Sequence, residues 1–178
     1  MKTVTLKNGR EIVLRRLNLS DLSALAVYLE SLGEATRKRF GPHPYNLHSL
    51  NDFYHTPRNI GFLAVDDAGT IVSYSVIRIG YLDHDRLRLE SYGLILDSTT
   101  DACFAPSVSD EWQSLGIGDL MLSYILDELR LLDFRRVILW GGVQADNEKA
   151  INYYLKNGFR TLGQFEYHGL NLDMMLEV

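Results

Sequence analysis

Between Ala102 and Phe159 the chain twice follows an apolar run of strand length with a segment of helical period, and each helix carries its own punctuation. ACFAPSV (Ala102 to Val108) reads as a strand. After it comes WQSLGIGDLML, where Gly116 and Gly118 stand just where a helix-favouring run begins, so that Gly118 to Leu132 is expected as a helix. RVILWGGV reads as a second buried strand. Asn147 to Asn157 is a second helix, closed by Gly158 in the position that favours a left-handed cap. FRTLGQFEY and LNLDMMLEV supply two final strands. Strands and helices in this order make an α/β or α+β chain with a mixed sheet.

The first half is less regular. TVTLKNGREIVLR reads as two short strands joined by Asn8-Gly9, a pair that favours a tight hairpin turn. Ser20 is expected to cap a helix with Asp21 in its first turn and Leu22, Leu25, Ala26 and Leu29 on one apolar face. From Gly33 to Pro57 the pattern is aromatic and broken, which reads as short helices between loops. GFLAV and TIVSYSVIRI are strands flanking the turn Asp66-Asp67-Ala68-Gly69. RLRLESYGLIL is read as a further extended piece. There are no repeats or linkers, so residues 1–178 are expected to form one domain, long enough to bury roughly two-thirds of its unfolded surface.

Composition removes several classes of function. A net charge of −5 argues against a nucleic-acid surface, which needs clustered Lys and Arg. Cys103 is the only cysteine, so neither an internal disulfide nor a thiolate metal cluster can form; on its strand it reads as a small buried apolar residue. The N-terminus lacks the apolar core of a signal peptide, and no run reaches the ~18 apolar residues of a membrane span. A soluble, cytoplasmic protein is expected. His43, His48 and His55, and Asp83-His84-Asp85, match no common ligand spacing, so no metal is expected.

The glycine turn has a physical use. A helix N-terminus presents unpaired amides and about half a positive charge, and glycines let a bulky anion approach them. Gln113 to Gly118 thus has the makings of a phosphate cradle. It is neither a P-loop, since no Gly-Lys-Ser/Thr follows, nor a dinucleotide fingerprint, since position 121 is not glycine.

Downstream lies NEKAINYYLKNGF. Taken with Gln113-Ser114-Leu115-Gly116-Ile117-Gly118, it resembles the GNAT N-acetyltransferase superfamily. There a Gln/Arg-x-x-Gly-x-Gly/Ala turn is followed by Asn-x-x-Ala-x-x-x-Tyr-x-x-x-Gly-Phe, here Asn147, Ala150, Tyr154, Gly158 and Phe159. The resemblance implies a mixed, mostly antiparallel central sheet of about seven strands flanked by helices. Its two parallel central strands, here ACFAPSV and RVILWGGV, would splay to admit the pantetheine arm of acyl-CoA. Pro106 suits a strand that has parted from its neighbour.

The implied reaction is direct attack of an amine on acetyl-CoA. Gln113, Ser114, Leu115, Gly116, Ile117 and Gly118 would hold the pyrophosphate, and Asn147 would assist on the face it shares with Tyr154. A backbone amide near Ser107 or Val108 would meet the thioester carbonyl. Tyr154 would protonate the leaving thiolate; Tyr153 lies one residue out of register. A phenol of pKa about 10 giving its proton to a thiol of about 8.5 is uphill by roughly 2 kcal/mol, a small part of a barrier. For the base no strand carboxylate is present. Glu90, Asp110 and Glu111 are the nearby candidates, Glu90 only if RLRLE forms a strand; a water-mediated base or an acceptor of lower pKa removes the need. Phe40, Tyr45, Phe53 and Tyr54 fall where the family forms its acceptor pocket. A GNAT-fold module that binds acyl-CoA without turnover, a transferase for longer acyl chains, and a homodimer are all compatible with the resemblance. The acceptor amine is not legible.

Overall fold

The computed structural model describes residues 1–178 as nine strands and six α-helices. The fold is mixed α/β, its strand pairing mostly antiparallel with one parallel pair, and helices flank the strands. Contacts divide the chain into two compact units: Met1–Ile77 with Ala105–Asp127, and Arg78–Phe104 with Glu128–Val178. No helix is long and apolar enough to cross a membrane.

In the first unit β1 (Lys2–Thr5) and β2 (Glu11–Arg16) form the expected hairpin. Its turn closes through Leu6 N to Arg10 O (2.8 Å) and Gly9 N to Leu6 O (2.9 Å), with Gly9 at φ +83°, a conformation glycine adopts without strain. Ile12 and Leu14 point inward along β2, two residues apart on one face. β3 (Asn59–Asp66) pairs antiparallel with β2, and β4 (Ile71–Ile79) follows through a turn in which Asp66 Oδ1 accepts from the Thr70 amide at 2.7 Å.

Three helices precede β3. α1 (Leu22–Ser31) buries Leu22, Leu25, Tyr28 and Leu29. Its cap differs from expectation: Asn18, not Ser20, starts the turn, and the Asp21 carboxylate accepts from the Asn18 amide at 2.8 Å. Arg15 holds that carboxylate at 2.6 Å and keeps its pKa below the usual range. α2 (Glu34–Arg39) and α3 (Leu47–His55) are the short helices of the aromatic segment. The second half of β5 (Asp101–Val108) and most of α5 (Ile117–Leu131) complete this unit. Ile117, Met121, Leu122, Tyr124 and Ile125 form the buried stripe of α5.

In the second unit the first half of β5 pairs in parallel with β6 (Arg136–Leu139), from Asp101↔Arg136 to Phe104↔Leu139. Fully buried Asp101 fixes that register, accepting from Arg136 Nε at 2.7 Å and Nη2 at 2.9 Å. Removing Arg136 would leave the Asp101 charge buried and unpaired, a loss of about 3–5 kcal/mol. β9 (Leu170–Glu177) pairs antiparallel with β6, with the two-residue β7 (Val143–Gln144) and with β8 (Arg160–Glu166). RVILWGGV is thus two strands. Gly141 and Gly142 both take positive φ, and a Cβ at Gly142 would lie 2.8 Å from Leu172 O, so only glycine lets the backbones approach so closely.

RLRLESYGLIL is not extended. Arg86–Ser91 is a helix, α4. As a strand it would turn Leu87 and Leu89 to one face; as a helix it buries Leu89 against Ile138 and Met175 and leaves Leu87 outside. Arg88 decides between them. It reaches buried Asp173 at 2.7 Å and Asp85 at 2.8 Å, and its guanidinium lies 3.6 Å over the Phe165 ring centroid.

Candidate active site

The first unit carries the turn and one strand edge. After β5 a single 3-10 turn (Asp110–Trp112) leads to Gln113. Ser114 at φ +64° and Gly116 at φ +84° then wind the chain into α5. The helical ladder begins with Leu120 N to Gly116 O, 3.1 Å, so the amides of Ser114 to Ile117 precede it in a concave, left-handed kink of the kind that attracts anions. The space above Gly116 is open: no heavy atom lies within 4 Å of where its Cβ would be.

Gln113 braces this turn from inside. Its Nε2 donates to Val108 O (3.1 Å) and to Asp110 Oδ1 (3.0 Å). Asp110 also accepts from Thr36 Oγ1 at 2.8 Å and sits against Gly33 at the start of α2. Its carboxylate is therefore tied to the loop and to α2. Glu111 stays on the exposed surface.

Backbone alternation assigns the strand edge. Ser109 N donates to Val72 O at 3.0 Å, so the amide of Ser107, two residues back, faces β4 as well. The amide of Val108 and the prolyl nitrogen of Pro106 face the opposite edge. Parallel pairing on that edge ends at Phe104. The absent N–H of Pro106 therefore leaves no gap in the ladder, and Val108 is the residue of the pair Ser107/Val108 whose amide points away from β4.

The side chain of Ser107 is anchored within the first unit. It donates from Oγ to Tyr74 O (3.0 Å) and accepts from the Tyr28 hydroxyl (3.1 Å). Beside it His43 is buried, and its Nδ1 lies 2.9 Å from Pro44 O, which can only accept. Nε2 therefore takes the hydrogen of the Tyr74 hydroxyl at 2.8 Å, and Tyr74 in turn accepts from Tyr54. Burial pushes the His43 pKa down and the Tyr74 and Tyr54 phenols up, holding the chain neutral. Of the aromatics expected here, Phe40 and Phe53 pack on His43, Tyr54 joins the chain, and Tyr45 donates to Phe40 O. His48 and His55 make separate local contacts with Asp52 and Asn51 O.

The second unit carries α6 (Glu148–Lys156). Asn147 is its N-cap, with Oδ1 accepting from the Ala150 amide at 3.3 Å. Gly158 at φ +87° reverses the chain, Phe159 N reaches back to Tyr154 O at 3.0 Å, and the Phe159 ring stacks on Phe104 at 6.4 Å. Tyr154 is 8% exposed, its ring 5.1 Å from Tyr153 and 5.2 Å from Phe159. Burial raises its pKa, so the hydroxyl keeps its proton at neutral pH. Burial likewise lifts the Cys103 thiol to about 12, which leaves no thiolate for nucleophilic chemistry. The strand on which Glu90 was to face a cleft does not form: Glu90 sits on α4, paired with Arg86 at 2.8 Å.

The chain thus carries a mixed sheet with one parallel pair, a glycine turn that opens a long helix, and a second helix capped by Asn147. The model of the acetyltransferase (GNAT) family matches residues 25–159, and the chain belongs to that family. Among curated proteins none matches it by sequence. Solved structures match its fold. The GNAT domain of S. lividans PAT superposes with a TM-score of 0.77 at 18% identity, covering 99% of this chain and 96% of that one. The ribosomal-protein-alanine N-acetyltransferase of Brucella melitensis gives 0.71 at 18% identity, covering 93% and 99%. A spermidine N-acetyltransferase SpeG chimera from Vibrio cholerae and hSSAT gives 0.65 at 18%, covering 93% and 95%.

Proposed function

We propose that this protein transfers an acetyl group from acetyl-CoA to a primary amine by direct attack. The observation that carries the reading is the turn, whose amides from Ser114 to Ile117 precede the helical ladder under an open Gly116. These amides hold the pyrophosphate, with Gly118 completing the helix start. Gln113 acts by bracing the turn, and Asn147 by fixing the start of α6, on which Tyr154 rides. The Val108 amide stabilises the oxyanion. Tyr154 protonates the departing thiolate: the bond from acyl carbon to sulfur breaks as that from nitrogen to carbon forms, and the phenolic proton goes to sulfur. The lone buried thiol suits a reducing compartment, and the cytoplasm is the proposed site of action.

Neither Asp110 nor Glu90 is poised as base. Asp110 is bound to Thr36 and Gln113, and Glu90 to Arg86. An alkylamine of pKa about 10.4 is neutral in only about one molecule in 2,500 at pH 7, a deficit of roughly 4.6 kcal/mol. The acceptor therefore loses its proton to solvent or has a lower pKa. The same observation favours the second reading, a module that binds acyl-CoA without turnover; a longer acyl chain is a variant of the first.

Thermal unfolding with and without acetyl-CoA tests the reading. At 100 times Kd a ligand adds about 2.7 kcal/mol, or about 5–10 °C for a chain of this size. A rise of that order with acetyl-CoA, followed by free CoA release on screening amines, supports the enzyme. No rise with acetyl-CoA, CoA or longer acyl-CoAs refutes both readings.

A further inference from the structure

Coenzyme A is a polyanion, yet the turn carries no cation of its own. From Leu89 to Leu129 the sequence has no Lys or Arg, while Asp110, Glu111 and Asp119 lie within eleven residues of one another around the turn. A cation reaches it from elsewhere in the same unit. The Arg10 guanidinium lies over the Trp112 ring, 4.8 Å from its centroid, and Trp112 directly precedes Gln113. Arg10 stands at the tip of the β1–β2 hairpin, which is held at its open end too, where the Met1 amino group donates to the Tyr124 hydroxyl of α5 at 3.3 Å. The hairpin thus spans from the middle of α5 to the turn that starts it, and exposed Lys7 shares the tip.

We propose that Arg10, held over Trp112 by this hairpin, binds the 3′-phosphate of coenzyme A and makes the chain prefer coenzyme A to its 3′-dephospho form. The inference rests on reading the turn as the pyrophosphate cradle. The amides from Ser114 onward take the pyrophosphate, so the phosphate left for a cation beside Trp112, which precedes those amides in the chain, is the ribose monoester. A phosphate monoester carries nearly two charges at neutral pH, and a guanidinium meets it in a bidentate fork. The ring occupies one face of the guanidinium and leaves its N–H edge available; stacking also lowers the entropy lost when the long side chain is fixed. Arg10 lies on an exposed turn, so its replacement does not disturb the core.

The test is calorimetric titration of wild type, Arg10→Ala, Arg10→Lys and Trp112→Leu with CoA and with 3′-dephospho-CoA, at two ionic strengths. Wild type is expected to prefer CoA at least tenfold. Arg10→Ala should lose that preference entirely, with dephospho-CoA affinity unchanged and a weaker salt dependence for CoA. Arg10→Lys should keep part of the preference and Trp112→Leu should lose part of it. If Arg10→Ala binds both nucleotides as wild type does, the Arg10–Trp112 pair is an ordinary surface contact and the proposal falls. Equal weakening of both nucleotides overturns it as well, by assigning Arg10 to the pyrophosphate. Wild type that binds both equally refutes the proposal alone. Wild type that binds neither refutes the cradle, and this inference with it.

Discussion

Replacing Gly116 with alanine separates the fold's need for a glycine from the ligand's. At φ +84° an alanine is strained, by roughly 1–2 kcal/mol, but its Cβ would touch nothing within 4 Å. Gly69, in the β3–β4 turn, is a matched control: φ +82° and again nothing within 4 Å. Both variants should therefore lose the same stability without ligand, a fall of about 2–8 °C in unfolding temperature. They should part company once acetyl-CoA is added. Gly69→Ala keeps the full rise, because its strain is present in free and bound states alike. Gly116→Ala puts a methyl group into the space through which an anion must reach the amides, and should lose most of it. Differential scanning fluorimetry over a range of acetyl-CoA concentrations reads both quantities from one plate. A Gly116→Ala protein that keeps the wild-type ligand shift would refute the cradle, whatever its apo stability.

Tyr154→Phe should lower kcat at least tenfold and leave acetyl-CoA affinity unchanged in titration; unaltered turnover removes the hydroxyl from the mechanism. With an alkylamine acceptor, log kcat/KM should climb with unit slope from pH 6 toward the amine's own pKa, and a plateau near neutrality would mean that the protein supplies a base after all. Asp110→Asn should keep that slope while lowering the unfolding temperature, because Asp110 braces α2 and the turn; a selective loss of turnover would instead make it the base. His43 gives a stability signature. Its folded pKa is depressed by burial, so the unfolded chain binds the extra proton, and stability that is full above pH 6.5 should fall as pH drops toward the depressed value. Unfolding temperatures that stay flat from pH 7 to 5.5, or that fall equally in His43→Gln, would contradict this.

What was legible follows from how local each signal is. Gly158 and the Asn8-Gly9 turn act through one or two hydrogen bonds to near neighbours, and both do what their residue types dictate. The alternation in RLRLE suits a strand as well as a helix, yet α4 forms. The choice was made by Arg88, whose partner Asp173 is 85 residues away. The break in RVILWGGV likewise depends on β9 passing within reach of Gly142. Gln113 was placed correctly in the turn, but its side chain faces Val108 O and Asp110, a direction that no spacing rule contains. The wiring of the aromatic segment is non-local: the run from Tyr54 through Tyr74 to His43 joins α3, β4 and the loop before α3.

Along the Asn147–Phe159 motif, structure accounts for one residue after another. Asn147 caps, Gly158 reverses the chain and Phe159 locks the reversal onto Phe104. None of these tasks needs a cofactor, so a non-catalytic protein of the same fold would retain them for stability alone. The Tyr154 hydroxyl is different, because phenylalanine would pack against Phe159 as well. At the strand, the amide of Val108 faces away from β4, as does the prolyl nitrogen of Pro106. Under the proposed function, Tyr154 is where turnover and mere binding make different predictions. A binder requires the Val108 amide and is indifferent to Tyr154→Phe, whereas a transferase requires both.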